Sequence, residues 1–230
     1  MATLRLYHGS DVVVRKPTLE RCRSNNDYGQ GFYCTRNSEL AKEWACNQGR
    51  SGFSNAYDLE VEGLDIVDLN SDSFCLLHWL DLLFQNRLFR LSTPTMERGA
   101  RWLHEHYAVD VQQADIIKGY RADDSYFGFA RAFLRNEITL DQLRQAMRLG
   151  ELGEQYMLKS AKAFGAGTFI ECEPADASKY WTLRMARDDA ARQAYSAIVA
   201  EGLSDKYGNQ HTYISSLMAM NEEERYARLF

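Results

Sequence analysis

Proline and broad positive charge are both scarce in this chain of 230 residues. Only 3 residues are prolines, which argues against a disordered or linker-rich protein. The formal net charge is -5, which argues against a protein that holds nucleic acid by neutralising phosphates over a broad surface. A local basic groove stays compatible with that charge, because Arg15, Lys16, Arg21 and Arg23 lie close together near the start of the chain.

Paired cysteines and long apolar runs are missing as well. The five cysteines form no C-x-x-C pair and no Cys/His cluster with zinc-ligand spacing, so we expect reduced thiols and no bound metal. The longest apolar stretch, residues 74–84, is too short to span a bilayer and contains Asp81, so we expect no membrane partner. The first ten residues lack the apolar segment of a secretory signal, which predicts a cytoplasmic protein, with delivery into a host or target cell as a further possibility.

The hydrophobic patterning predicts short strands separated by helices, followed by a purely helical tail. Predicted strands lie near residues 4–7, 32–34, 57–61, 115–118, 155–158 and 168–172. Predicted helices lie near residues 40–45, 74–89, 125–134, 139–147, 160–164, 176–203 and 211–229. Because no regular βαβ alternation is present, we predict the α+β class rather than a doubly wound parallel sheet.

The tripeptide His8-Gly9-Ser10 ends the first predicted strand. A glycine beside a histidine leaves backbone N–H and C=O groups that could pair with an amide, because no Cβ blocks the approach. On its own this tripeptide is more often a turn with a surface histidine.

Gly29 and Gly31 flank a polar residue just before Phe32 and Tyr33 enter a strand. Neighbouring side chains of a strand point to opposite faces, so only one of the two rings can face a given cleft, where it could stack on a flat heterocycle. The alternative is that both rings serve packing alone.

Acidic and amide side chains supply the remaining candidates. Glu154 and Gln155 lead a short strand, so one of them can point into a cleft; the alternative is a solvated strand entrance. Asp123 or Asp124 can cap the following helix, and we retain Asp123 as a catalytic candidate because two adjacent acids exceed what one cap needs. Trp44 is expected to be a core residue.

Taken together and in this order, these elements resemble the ADP-ribosyltransferase superfamily, and within it the bacterial family of uncharacterised proteins known as DUF3990. The resemblance spans residues 4–172. The matching stretches are LYHGS (6–10), DYGQGFYCT (27–35), A-x-x-W-A (41–45), the strand at Tyr57, Asn86-Arg87, ADIIKGYRADDSY (114–126) and EQYMLKSAKAF (154–164).

The resemblance implies a split mixed or antiparallel sheet that binds NAD, in a domain of residues 1–172 with a helical extension, 173–230, packed on it. His8 would bond the ribose next to adenine, Gly9 would pair with the nicotinamide carboxamide, and Tyr33 would stack on the nicotinamide ring. The other residues expected to contact NAD are Ser10, Gly31 and Phe32.

The third catalytic position would be Gln155, or Glu154 if the strand register differs by one. Either would touch the nicotinamide-side ribose. A glutamine keeps a hydrogen bond to that ribose but lacks the charge that stabilises an oxocarbenium-like transition state, and it cannot act as a base.

The resemblance therefore predicts a mono-ADP-ribosyltransferase that releases nicotinamide and modifies a protein or nucleic-acid acceptor. A bacterial toxin, effector or defence enzyme, with an antidote or partner protein, would fit that activity. The alternatives are an NAD glycohydrolase with a similar site and a catalytically silent binding module on the same fold.

Overall fold

The computed structural model describes residues 2–149, 153–204 and 212–229, without the side chains of residues 202–204. Within these ranges the fold is α+β, as predicted, with one seven-stranded mixed sheet and nine α-helices. No helix among these residues is long and apolar enough to cross a membrane.

The seven strands run in the spatial order β4-β5-β6-β2-β1-β3-β7. Their bounds are β1 Thr3–Ser10, β2 Phe32–Thr35, β3 Gly52–Glu60, β4 Ile66–Asp68, β5 Ile116–Tyr120, β6 Glu154–Leu158 and β7 Gly167–Ala175. The pair β4–β5 is parallel, and every other neighbouring pair is antiparallel.

The helices cover the sheet and continue beyond its last strand. They are α1 Ser38–Ala45, α2 Leu76–Asn86, α3 Pro94–Tyr107, α4 Asp124–Leu134, α5 Leu140–Ala146, α6 Ala161–Ala166, α7 Ala177–Ser204, α8 Ile214–Ala219 and α9 Glu222–Leu229. A short 3-10 turn covers Leu19–Arg21. Side chains at helix starts explain several of these bounds: Asn37 accepts from two backbone N–H groups of α1, and Thr139 with Gln142 forms the predicted capping box of α5.

Four elements of the predicted secondary structure were wrong or missing. The strand predicted at 57–61 begins at Gly52, and β4 and α3 were not predicted at all. The helix predicted over 211–229 is two helices, because Asn221 accepts from Glu224 N while the Glu224 carboxylate accepts from Asn221 N, and this reciprocal cap starts a new helix. Residue 211 itself lies outside the described residues.

Two hydrophobic clusters lie on opposite faces of the sheet. The larger contains Trp79, Ile117, Phe133 and Met157 with helices α2 to α5, and the smaller contains Leu6, Phe32, Tyr57 and Leu158 beside α6. The tail helices contribute Ala191, Ile214, Leu217 and Leu229 to the larger cluster. The boundary expected at residue 172 falls inside β7, so the sheet is completed by residues on both sides of it.

Candidate functional site

The candidate site lies where β1 and β2 diverge. Along its whole length β1 pairs with β3, from Thr3↔Glu60 to Ser10↔Phe53. Among the described residues, a single register pair, Tyr7↔Thr35, joins β1 to β2. Residues 8–10 of β1 and 32–34 of β2 therefore do not pair as neighbouring strands. A cleft opens between these two segments.

The cleft has a volume of about 1180 Å³, above the range of roughly 300–1,000 Å³ typical of small-molecule sites. All six residues predicted to bind the dinucleotide contribute to its lining. These residues are His8, Gly9, Ser10, Gly31, Phe32 and Tyr33.

His8 is half-buried in the cleft and its imidazole is fixed on two sides. The ring stacks on Phe32 with centroids 4.1 Å apart, and Nδ1 lies 2.7 Å from the Tyr33 carbonyl oxygen. Burial lowers the pKa of His8 to about 4, so the ring is neutral at pH 7. Because a carbonyl can only accept, Nδ1 carries the proton, and Nε2 is left as an acceptor for a ligand hydroxyl.

Gly9 allows α1 to pack directly on β1. A Cβ at Gly9 would lie 2.0 Å from the Ala41 carbonyl oxygen and 2.7 Å from Ala45 N, both backbone atoms of α1. The same approach brings Trp44 of α1 to the wall of the cleft. Packing of α1 on β1 therefore requires a glycine at position 9. This requirement holds whether or not the Gly9 backbone also contacts a ligand.

Phe32 and Tyr33 alternate as the strand geometry predicted, but both line the cleft, so the expectation that only one of them could face it was wrong. Phe32 belongs to the smaller cluster, whereas Tyr33 packs against the larger cluster on the other face. The Tyr33 hydroxyl donates to the Gly29 carbonyl at 2.7 Å and accepts from Tyr28 N at 2.9 Å. Burial raises the pKa of Tyr33, so the ring is a neutral surface fixed in orientation.

Asn55 fixes the loop that follows β1, and sequence reasoning missed it. Its side chain is 0% exposed; Nδ2 donates to the His8 carbonyl at 3.2 Å, and Oδ1 accepts from Val14 N at 2.9 Å. The Ser10 hydroxyl, expected to contact NAD, donates to the Val12 carbonyl. The signal in the sequence was a polar side chain inside the run Phe53–Tyr57, where a buried amide must satisfy its hydrogen bonds within the protein.

Gln155 does not lie among the described residues that line the cleft. It is 3% exposed, and its Nε2 donates to Asp27 Oδ2 at 2.8 Å and to the Tyr120 carbonyl at 3.1 Å. Asp27 also accepts from Arg87 Nε and from Ala122 N, each at 2.8 Å. In this structure Gln155 therefore fixes the segment that leads into β2, rather than facing a ligand.

The two other catalytic candidates also lie outside the cleft lining. Glu154 pairs with Lys118 Nζ at 3.0 Å and accepts from Asn70 Nδ2 at 2.9 Å. Asp123 caps α4 by accepting from Tyr126 N. Burial raises the pKa of Asp123, although nearby Arg121 opposes that rise. Within the described residues, the structure does not bring these acids together with His8 and Tyr33.

Positive charge dominates the cleft. Its basic lining residues are Arg15, Lys16, Arg21, Arg23, Arg50, Arg121 and Arg184, and its single acidic one among the described residues is Asp11. None of the seven has a carboxylate within ion-pair distance in the described part of the chain. Removing these residues from the totals of 27 basic and 32 acidic leaves 20 and 31 elsewhere, so the lining carries about +6 and the remainder about -11.

Arg121 and Arg184 form the most buried part of this basic lining. The Arg121 guanidinium lies 3.8 Å from the centroid of Trp44, and its Nε is buried without a hydrogen-bond partner. Burial lowers the pKa of Arg121 to about 10, which keeps it charged at pH 7. Arg184, from α7, donates to the Cys46 carbonyl at 3.3 Å. Trp44 was expected in the core, but it lines the cleft and supports Arg121.

Across the described residues, no group of three or more His, Cys, Asp or Glu side chains is arranged to hold a metal ion. No curated protein matches the chain, and no solved structure does so. A family model described as a protein of unknown function, DUF3990, matches residues 4–169. That match includes the strands that form the divergence and stops before α7, and it shows that the chain belongs to the DUF3990 family.

Proposed function

We propose that this protein is a mono-ADP-ribosyltransferase that binds NAD in the cleft between β1 and β2. The main support for the proposal is that His8 and Gly9 of β1 and Tyr33 of β2 line the same cleft. An NAD-binding core of the ADP-ribosyltransferase type, with a sheet split at this point, is part of the proposal.

Each of these three residues has a chemical group suited to one part of the dinucleotide. Neutral His8 has an acceptor nitrogen for a ribose hydroxyl, and the fixed ring of Tyr33 can stack on nicotinamide. The backbone of Gly9, which lines the cleft, would pair with the carboxamide. The basic lining can bind the two negative charges of the diphosphate.

The proposed transfer breaks the bond between the nicotinamide nitrogen and C1′ of its ribose. The electron pair leaves with nicotinamide and neutralises the pyridinium ring, while the acceptor nucleophile bonds to C1′ and loses its proton to solvent or to its own neighbouring base. Fixing the ring while the sugar moves is the contribution of stacking and backbone pairing. Because Asp11 is the only carboxylate among the described lining residues, we expect the reaction to require an acceptor that is already nucleophilic.

The test combines binding and turnover. The protein is incubated with NAD labelled in the adenylate part and with a cell lysate, and nicotinamide release and transfer of label to macromolecules are followed. Label on a macromolecule supports the proposal, free ADP-ribose alone indicates a glycohydrolase, and a wild-type protein that neither binds NAD nor releases nicotinamide overturns both.

Variants at His8 and Tyr33 locate the activity in the cleft. We expect Tyr33→Ala to raise the Kd for NAD about tenfold or more, since stacking on an aromatic ring contributes roughly 1–3 kcal/mol per base. His8→Ala should raise the Kd up to about tenfold, since it removes one hydrogen bond to a ribose hydroxyl, worth about 0.5–1.5 kcal/mol. Tyr33→Phe is the matched control, because it keeps the ring and loses only the hydroxyl bonds to Gly29 and Tyr28. Calorimetry measures both constants.

A catalytically silent binding module is the second candidate. It is favoured by the burial of Gln155 against Asp27, which leaves no amide or carboxylate from β6 in the described lining. NAD binding without nicotinamide release, in the presence of lysate, would select this candidate over the enzyme.

A further inference from the structure

The cleft contains more unpaired cations than one NAD molecule can neutralise. The diphosphate of NAD carries two negative charges, whereas seven basic side chains line the cleft and none is ion-paired to a described residue. Half-buried charges are normally paired, because removing a charge from water is costly. Glu43 and Asp123 lie near enough to both Arg121 and Arg184 to interact through charge, but neither forms an ion pair with them. Both guanidinium groups can therefore bind an anionic ligand in addition to the dinucleotide.

Six of these seven cations occupy two walls, and the seventh, Arg50, lies in the loop between α1 and β3. The loop wall, residues 11–23, carries exposed Arg15, Lys16, Arg21 and Arg23. The helical wall consists of Trp44 from α1, Arg121 directly after β5, and Arg184 from α7. The four positive charges of the loop wall already outnumber the two negative charges of a diphosphate. The arginines of the helical wall are therefore available to bind the second anion.

We propose that the acceptor is single-stranded nucleic acid, whose phosphodiester groups bind Arg121 and Arg184 on the helical wall. Naming the strand as acceptor rests on the proposed transferase function, whereas binding of the strand does not. A guanidinium forms two parallel bonds to a phosphate, and its plane can also stack on an unpaired base.

Shape and charge favour a nucleic-acid strand over the surface of a folded protein. The cations lie in a concave cleft of about 1180 Å³, which a flexible strand can enter along a positively charged groove. The remainder of the chain carries about -11, so it repels a polyanion and confines binding to the cleft. The net charge of -5 excluded only a broad phosphate-binding surface.

The experiment measures fluorescence anisotropy of a labelled single strand of about 12 nucleotides, as DNA and as RNA, at about 50 mM salt and above. We expect the wild type to bind with an affinity that falls as salt rises. Arg121→Gln and Arg184→Gln should each weaken binding about fivefold and reduce the salt slope by about 0.7, because each removes one phosphate contact. Arg184→Lys should keep most of the salt slope, because it keeps the charge.

Arg192→Gln is the matched control on α7. Its side chain is 60% exposed and pairs with Asp188, and we expect unchanged strand binding. Calorimetry with NAD is run on every variant, and Arg184→Gln should weaken strand binding more than it weakens NAD binding. Absence of strand binding by the wild type, equal loss in Arg192→Gln, or equally strong binding of a poly-glutamate peptide of matched charge would overturn the inference. Strand binding in a protein that fails to bind NAD would overturn the proposed transferase and leave the strand site standing.

Discussion

Asp27 connects the chain segments that surround Tyr33. Its carboxylate accepts from Gln155, Arg87 and Ala122, which belong to β6, the residue after α2 and the turn before α4. The side chain is 5% exposed, so these donors replace the water that a carboxylate otherwise binds. Gln155 thus has an identifiable structural role beside the catalytic one predicted for it.

We expect Gln155→Ala to lower the free energy of unfolding by about 2 kcal/mol, because Asp27 and the Tyr120 carbonyl each lose a donor. Urea unfolding measures the change. Gln155→Glu should destabilise more strongly at pH 8 than at pH 5, because the introduced carboxylate lies beside Asp27 and repels it until it takes up a proton. A Gln155→Glu protein with wild-type stability and faster nicotinamide release would instead return Gln155 to the catalytic position.

His8 gives a pH-dependent prediction. Its pKa is about 4 in the folded protein, against about 6.5 in the unfolded chain. Between these values the unfolded state binds a proton that the folded state does not, so stability falls as pH decreases from 6.5 to 4, by at most about 1.4 kcal/mol per pH unit. Above pH 7 the residue contributes no pH dependence, because both states are neutral.

The comparison of the wild type with His8→Gln isolates this effect, since the carboxylates common to both proteins cancel. Urea unfolding at several pH values from 7 to 4.5 should show the wild type losing stability faster. Parallel pH curves for the two proteins would show that His8 titrates normally.

At the scale of elements, the contact between β1 and α1 determines one wall of the cleft. The helix approaches the strand so closely at Gly9 that no side chain fits, and Trp44 is positioned by that approach. Strand β3 approaches α1 equally closely, because a Cβ at Gly52 would lie 2.5 Å from the Ala45 carbonyl oxygen. The end of α1 is therefore enclosed by β1 and β3.

We expect Gly9→Ala to destabilise the fold by about 2–3 kcal/mol and to weaken NAD binding, because α1 must move away from β1. Gly128→Ala is the control, since it lies inside α4 with no atom within 4 Å of the added methyl group. That change should stabilise the protein by about 0.5–1 kcal/mol through helix propensity. Thermal unfolding measures both variants, and a neutral Gly9→Ala would contradict the packing described here.

At the scale of the whole molecule, α7 joins the tail to the cleft. Arg187 Nη2 pairs with the carboxylate of Glu43 on α1, which is 4% exposed. Burial raises the pKa of Glu43, and Arg187 opposes that rise. One turn earlier on α7, Arg184 lines the cleft. The tail thus supports the wall of the candidate site, although it lies beyond the residues that the family model matches.

We expect Arg187→Met to lower stability by about 3 kcal/mol at pH 8, because it leaves the buried Glu43 carboxylate unpaired. The loss should shrink as the pH falls, since burial raises the pKa of Glu43 and the protonated side chain no longer needs an ion partner. The double variant Glu43→Gln/Arg187→Met should lose less than half as much as Arg187→Met alone. A double variant as unstable as the single one would show that the charge of Glu43 is not the cause.

Local signals predicted much of the fold. The alternation of Phe32 and Tyr33 and the capping box at Thr139 depend on residues near each other in sequence, so they could be predicted from it. Helix α3 was missed even though Thr93 caps it and Pro94 occupies its first turn, because its polar residues obscured the apolar spacing of Met96, Gly99 and Leu103.

For the candidate site too, the features that depend on neighbouring residues were predicted and the long-range contacts were not. The sequence alone determined the fold class, the family resemblance and the glycine-flanked segments at His8 and Tyr33, since each depends on short-range pattern. Tertiary structure decided that Gln155 is buried against Asp27, that Arg121 lies over the Trp44 ring and that Arg184 lines the same cleft. The physical reason is distance along the chain: partners 60 to 140 residues apart are brought together by the packing of helices on the sheet, which the pattern of neighbouring residues does not encode.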